Sequence, residues 1–160
     1  MIKYIKGDLF SHKSIDISKS VILAHACNTH GAWGGGIAAV FGRQFPTANT
    51  KYSNYCHTHS NLLGTTLLIP ANDNNKIFIA CLFTSDFSQT PTEIVEYTDK
   101  ALEDLSKQLA SSDLDFETDQ DHPIINMPKI NAGIFGVPWE LTEGALMKHT
   151  SLNFNVYVID

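Results

Sequence analysis

Basic charge is scarce in this chain. Eleven Lys and Arg stand against 17 Asp and Glu, a formal net charge of −6. No basic field draws it to nucleic acid or to an anionic membrane surface, and neither is expected as a partner. Long apolar runs are missing as well. None approaches the roughly 18–20 residues of a membrane span, and the opening MIKYIKGD lacks the apolar stretch of a secretory signal. Cysteine is rare: Cys27, Cys56 and Cys81 make an odd, low count. That count without a signal points to a reducing, intracellular setting, cytoplasmic or nuclear.

Several catalytic signatures are absent too. There is no G-x-x-x-x-G-K-[ST] phosphate loop and no G-x-S-x-G elbow. A cysteine phosphatase needs an Arg six positions after its Cys, but Trp33, Leu62 and Phe87 hold those places. Cys56-His57-Thr58-His59 collects soft donors, and Cys27 lies near His25 and His30, yet neither set has C-x₂-C spacing. These read as surface histidines and a core thiol, so no metal and no cofactor is implied.

What is present is ample for a core. The 160 residues are 43% hydrophobic. A chain of this size buries about 68–70% of its unfolded surface, and a single monomeric domain over 1–160 is expected. Strand and helix patterns alternate. Residues 2–5, 20–26 (SVILAHA), 65–69, 76–83, 123–130 and 154–159 read as strands, with a hairpin turn at Asn72-Asp73-Asn74-Asn75. Helices are expected over 36–45, more weakly over 47–58, from Thr92 with Thr90 or Thr92 as cap, and over 139–148. The alternation implies an α/β domain with helices on both faces of a mixed sheet. Segment 111–122 (SSDLDFETDQDH) holds five acids and no Lys or Arg, and reads as an acidic surface loop.

Three unusual loops each follow a predicted strand: Gly7-Asp8-Leu9, the stretch 28–36 with four glycines, and the stretch 131–136. In open α/β sheets, ligands sit at the carboxyl ends of strands. Glycines let backbone N–H groups approach an anion, and a following helix adds its positive end. Two amide-lined walls and one carboxylate suit a ligand with a diphosphate and a nucleobase. The plainer reading of the same loops is a set of tight βα turns.

The motifs themselves decide. G-D-L, A-H-A-C-N followed by W-G-G-G-I-A, and I-N-A-G-I-F-G-V-P-W resemble the macrodomain superfamily, with N-L-L-G at 61–64 and C-L-F-T-S at 81–85 extending the likeness over essentially the whole chain. Within it the sequence is most similar to the yeast branch of ADP-ribose 1''-phosphate phosphatases. The resemblance implies a three-layer α/β/α sandwich. It also implies hydrolysis of ADP-ribose 1''-phosphate to ADP-ribose and phosphate, the clearance of a tRNA-splicing metabolite.

Residue by residue, it implies that Asp8 reads the adenine amine with the Leu9 amide beside it, that Asn28 contacts the distal ribose, and that Gly7, Ala26 and Cys27 belong to the same binding set. Trp33, Gly34, Gly35, Gly36, Ile37 and Ala38 grip the phosphates. Ile130, Asn131, Ala132, Gly133, Ile134, Phe135 and Gly136 form the second phosphate loop, with Phe135 where many macrodomains place an aromatic against the distal ribose. His25 stands where other macrodomains carry Asn, and the resemblance makes it the catalytic residue, as nucleophile or general acid/base, with its imidazole expected at the mouth of the crevice. Macrodomains that cleave ADP-ribosyl-glutamate esters share M-P-(K/R)-x-x-x-G but need a Lys and an Asp where this chain has Ser85 and Phe135. The alternatives are a mono-ADP-ribosyl-protein hydrolase, which would add ADP-ribosylated protein as a partner, and a non-catalytic ADP-ribose reader.

Overall fold

Elements form where the periodicity predicts them. The computed structural model describes residues 1–14, 16–72 and 76–159. Along the chain run β1 (Ile2–Lys6), a 3-10 turn (Leu9–Ser11), β2 (Val21–Asn28), α1 (Gly36–Gln44), α2 (Pro46–Thr58), β3 (Thr66–Pro70) and β4 (Ile77–Ser85). Then follow α3 (Pro91–Ala110), β5 (Thr118–Asp119), β6 (His122–Met127), α4 (Trp139–Met147) and β7 (Asn153–Val158). The strand order is β1-β7-β6-β2-β4-β3, with β5 on β6. The pairs β1/β7, β7/β6, β6/β2 and β2/β4 are parallel, and β3/β4 and β5/β6 antiparallel, so the sheet is mixed. The turn expected at 72–75 joins the antiparallel pair β3/β4, but residues 73–75 lie outside the described residues.

Both sheet faces are covered, which is why β2 is nearly all apolar. Ile22 and Ala24 pack with Ala80, Leu82 and the α3 residues Ala101, Leu102 and Leu105. Leu23 and Cys27 pack with Cys81 and Phe83 against Phe41 of α1 and Tyr52 of α2. Three layers result, in the α/β/α arrangement expected. The long helix α3 starts on a capping box: Thr90 Oγ1 accepts from Glu93 N (3.2 Å), and Thr90 N donates to Glu93 Oε1 (2.9 Å).

Segment 111–122 departs from a solvated loop. Phe116 is buried and meets Phe78 edge-on at 5.4 Å. Its neighbours bond to the start of β2, Ser20 N to Asp115 O and Glu117 N to Ser20 O, both 2.8 Å. The His12 ring lies 2.9 Å from Glu117 Oε1 and 2.6 Å from Tyr157 Oη. The acids occupy odd positions and Phe116 an even one, so the segment alternates like a strand and turns one ring inward. The apolar run 123–130 also ends as strand at Met127, which leaves Pro128 and Ile130 to the loop that follows.

Candidate active site

The carboxyl ends of β2 and β6 open onto a cavity of about 240 Å³, lined by residues 26–28, 32–38, 128–131 and 133–135. Its first wall is the β2–α1 loop. Asn28 staples that loop from within: Nδ2 donates to Ala32 O (2.7 Å), and Oδ1 accepts from His30 N (2.9 Å) and from the Tyr52 hydroxyl (3.1 Å). Gly31 has φ +80, and a Cβ there would stand 3.2 Å from the Ser53 backbone, so only glycine lets the loop lie flat on α2. Helix α1 has Gly35 as its N-cap, without a side-chain cap. Its first-turn N–H groups are therefore open to an anion at the cavity.

The second wall is the β6–α4 loop. Asn131 sits at φ +66, and its side chain points into the core. Oδ1 accepts from Thr84 Oγ1 (2.9 Å), and Nδ2 donates to Thr98 Oγ1 (2.9 Å) and Thr142 Oγ1 (3.3 Å). The two walls touch: a Cβ on Gly35 would lie 2.8 Å from Ile134 Cδ1. Among the described lining residues Lys129 is the only one with a formally charged acid or base side chain, so no carboxylate repels an anion there. Ala32, Pro128 and Lys129 line the cavity although the motif reading did not select them.

Five expected binding residues, Gly7, Asp8, Leu9, Ala132 and Gly136, do not line it. Asp8 Oδ1 caps the 3-10 turn by accepting from Phe10 N (3.0 Å), and Gly7 N donates to Val158 O (3.0 Å). These residues follow the edge strand β1, whereas the cavity lies between β2 and β6. Leu9 is buried in the core. Gly136 N closes the second loop onto Gly133 O (3.0 Å).

His25 is not at the mouth of the crevice. Its side chain has no exposure and does not line the cavity. The ring stacks on Phe41 (3.9 Å between centroids, 5° between planes) and meets Trp33 edge-on at 5.0 Å. Strand pleating explains this: side chain 25 points to the same face as Leu23 and Cys27, toward α1 and α2. Cys27 Sγ lies 3.4 Å from Nε2 and 3.7 Å from Nδ1. A sulfur on the in-plane axis of one nitrogen would stand much further from the other, so it covers the ring face opposite Phe41.

Cys81 completes a buried set in which the His25, Cys27 and Cys81 donor atoms lie within 4.8 Å of one another. With the sulfur over the ring, the imidazole lone pairs and that sulfur do not converge on one point. Burial acts to raise the Cys27 thiol. The Cys81 S–H and the adjoining His25 ring oppose it and hold Cys27 below the usual thiol range. In Cys81, burial and the neighbouring Cys27 sulfur act together and push the thiol well up.

The profile of the Macro domain family matches residues 24–146. The chain is 62% identical to a Lodderomyces elongisporus protein named ADP-ribose 1''-phosphate phosphatase, over 99% of both chains. It is 60% identical to a Candida albicans protein of the same name, over 99% of this chain and 100% of that one. Among solved structures, the macrodomain of Mycobacterium tuberculosis DarG superposes with a TM-score of 0.73 at 20% identity, covering 98% of this chain and 97% of that one. A cleft built from backbone amides at the ends of β2 and β6, with that profile match and those full-length relatives, places this chain in the macrodomain family.

Proposed function

We propose that this chain is a phosphoric monoester hydrolase that converts ADP-ribose 1''-phosphate to ADP-ribose and phosphate. The observation that carries this is the cavity wall: an uncapped helix N-terminus and two glycine loops facing one space, with one cation and no carboxylate among the described lining residues. The name borne by relatives 62% and 60% identical over their full length supports the same reaction.

Phosphoryl transfer through a loose transition state spreads charge over three equatorial oxygens, so positioning and electrostatics do most of the work. The amides at 34–37 and in the 133–136 loop meet those oxygens. Lys129 adds the one mobile positive charge. Asn28 and Asn131 hold their loops from inside, so the amides do not reorganise as the reaction proceeds.

His25 acts in this scheme as a positioning residue. Its ring wedges between Trp33, in the phosphate loop, and Phe41, in the helix whose N-terminus meets the anion. The test is phosphate release from ADP-ribose 1''-phosphate, with ADP-ribose as co-product. Binding of ADP-ribose without phosphate release would make the protein a reader. Release of ADP-ribose from a modified protein, with the phosphomonoester untouched, would make it a protein-linked ADP-ribose hydrolase.

A further inference from the structure

Two buried thiols beside the cleft take no part in the proposed reaction. Cys27 of β2 and Cys81 of β4 pack in the same layer, toward α1 and α2, and their sulfurs lie within 4.8 Å of each other. β2 and β4 are neighbouring parallel strands in which Cys81 pairs with His25 and Cys27 with Phe83, so the two cysteines stand on a diagonal. The pair is asymmetric. Cys27 lines the cavity, whereas Cys81 does not and has no exposure. Cys27 titrates below the usual thiol range and Cys81 well above it. At neutral pH the sulfur of the lining residue is a thiolate and its neighbour a thiol, and the thiolate is the reactive form. Cys56 on α2 is outside this set, and burial pushes its thiol up to about 11.

We propose that Cys27 and Cys81 are a peroxide-reactive pair that switches the cleft off: Cys27 is oxidised from the cavity, and Cys81 then closes a disulfide with it. The Cys27 thiolate attacks the terminal oxygen of a hydroperoxide. An S–O bond forms, the O–O bond breaks, and the departing oxyanion takes a proton from water. The Cys81 sulfur then attacks the Cys27 sulfenic acid. An S–S bond forms, the S–O bond breaks, and the Cys81 proton leaves with the hydroxyl as water. The electron pair lost by the thiols is the one the peroxide gains.

The bridge acts on the phosphate loop. A disulfide brings its sulfurs to about 2.05 Å, so the Cys27 sulfur leaves the His25 ring and draws the end of β2 toward β4. The register of that strand pair already shifts between Cys27 and Asn28, which is where the ladder yields. Asn28 staples the loop and the His25 ring packs on Trp33 within it, so both supports move together. The loss of activity rests on the proposed function; the bridge itself does not.

Hydrogen peroxide is the probe. Folded wild type is treated with it, alkylated in denaturant and mapped by mass spectrometry without reduction. A peptide pair joining Cys27 to Cys81 should appear, phosphate release from ADP-ribose 1''-phosphate should fall with its yield, and dithiothreitol should reverse both. Saturating ADP-ribose should slow the bridge, because it fills the cavity through which peroxide reaches Cys27. Cys81→Ala should leave Cys27 as a sulfenic acid that dimedone captures, and excess peroxide should carry it to a sulfinic acid that dithiothreitol does not rescue. Cys56→Ser should change none of this, each variant being compared with its own untreated rate. Cys27 left as a free thiol while Cys56 oxidises, or a bridge that leaves phosphate release intact, overturns the inference. A bridge in a protein that never releases phosphate supports the thiol chemistry and removes the proposed function instead.

Discussion

His25 is the residue on which the geometry and the family resemblance make different demands, and two substitutions separate them. The ring is fully buried, stacked 3.9 Å from Phe41, edge-on to Trp33 and covered by the Cys27 sulfur. Removing a whole aromatic side chain from such a site costs about 3–5 kcal/mol. Imidazole is smaller and carries nitrogens that burial disfavours, so His25→Ala should cost about 2–3 kcal/mol. In a domain of this size each kcal/mol moves the thermal midpoint by about 2–4 °C, so that variant should melt roughly 4–12 °C lower. Its phosphate release should fall as the Trp33 loop and α1 lose their wedge. His25→Phe keeps a ring between Phe41 and Trp33 and removes only the nitrogens. If His25 positions the loop, that variant keeps turnover within a few-fold. If His25 is a general acid or base, turnover falls by about 10²–10⁴, and by more if it is the nucleophile. Phosphate release at saturating ADP-ribose 1''-phosphate, measured beside a thermal melt, reads both. A well-folded His25→Phe protein with wild-type melting and a hundredfold loss of turnover would refute the positioning role.

Three further outcomes are expected. Asn131→Ala strips the Thr84, Thr98 and Thr142 hydroxyls of a shared partner and forces alanine to φ +66. It should cost about 2–4 kcal/mol in urea unfolding and weaken ADP-ribose binding, and an unchanged midpoint would show that the network is dispensable. Lys129→Gln should weaken ADP-ribose 1''-phosphate binding and flatten its dependence on salt; an identical salt slope would place the ammonium outside the ligand's field. The Ser88 hydroxyl and backbone N–H hold the Asp86 carboxyl below its ordinary value of 3.8, so its contribution to stability is complete above that pH and is lost as pH falls through the lower folded value. The stability gap between wild type and Asp86→Asn should therefore close in strong acid, and a gap independent of pH would remove Asp86 from the account.

Much of the fold was legible because it rests on local chemistry. The β2 run announced a strand covered on both faces, Thr90 and Thr92 offered caps at the start of α3, of which Thr90 serves, and the glycines of 31–36 announced a loop whose backbone approaches something. The orientation of His25 was not legible for the same reason that β2 was. With both faces apolar, Val21, Leu23 and Cys27 at odd positions look like Ile22, Ala24 and Ala26 at even ones, and parity assigns no face to the cleft. The inward bonds of Asn131, which also lines the cavity, were not legible, because its partners Thr84, Thr98 and Thr142 come from β4, α3 and α4 and no local pattern links them. The acids of 111–122 masked the one residue that matters to packing there. Their spacing still carried the information, with Phe116 in the alternate register.

Asn28 ends β2 and Asn131 lies four residues past the end of β6, one in each wall, and each turns its carboxamide inward. Asn28 binds Ala32 and His30 of its own loop and the hydroxyl of Tyr52, whereas Asn131 binds three threonines of the layer beneath. A side chain held this way adds little direct contact to a ligand. It removes the freedom of a glycine-rich loop, which is costly to order because glycine has the most backbone entropy to lose. In the proposed reaction the glycines open the backbone to the phosphates, and the asparagines keep it there before the ligand arrives. If that division of labour holds, substituting either asparagine should slow phosphate release through a loosened transition-state grip. kcat would fall more than KM rises, since the lost term is preorganisation and not a ligand hydrogen bond. A variant at Asn28 or Asn131 that raised KM alone would mean that its carboxamide reaches the substrate after all.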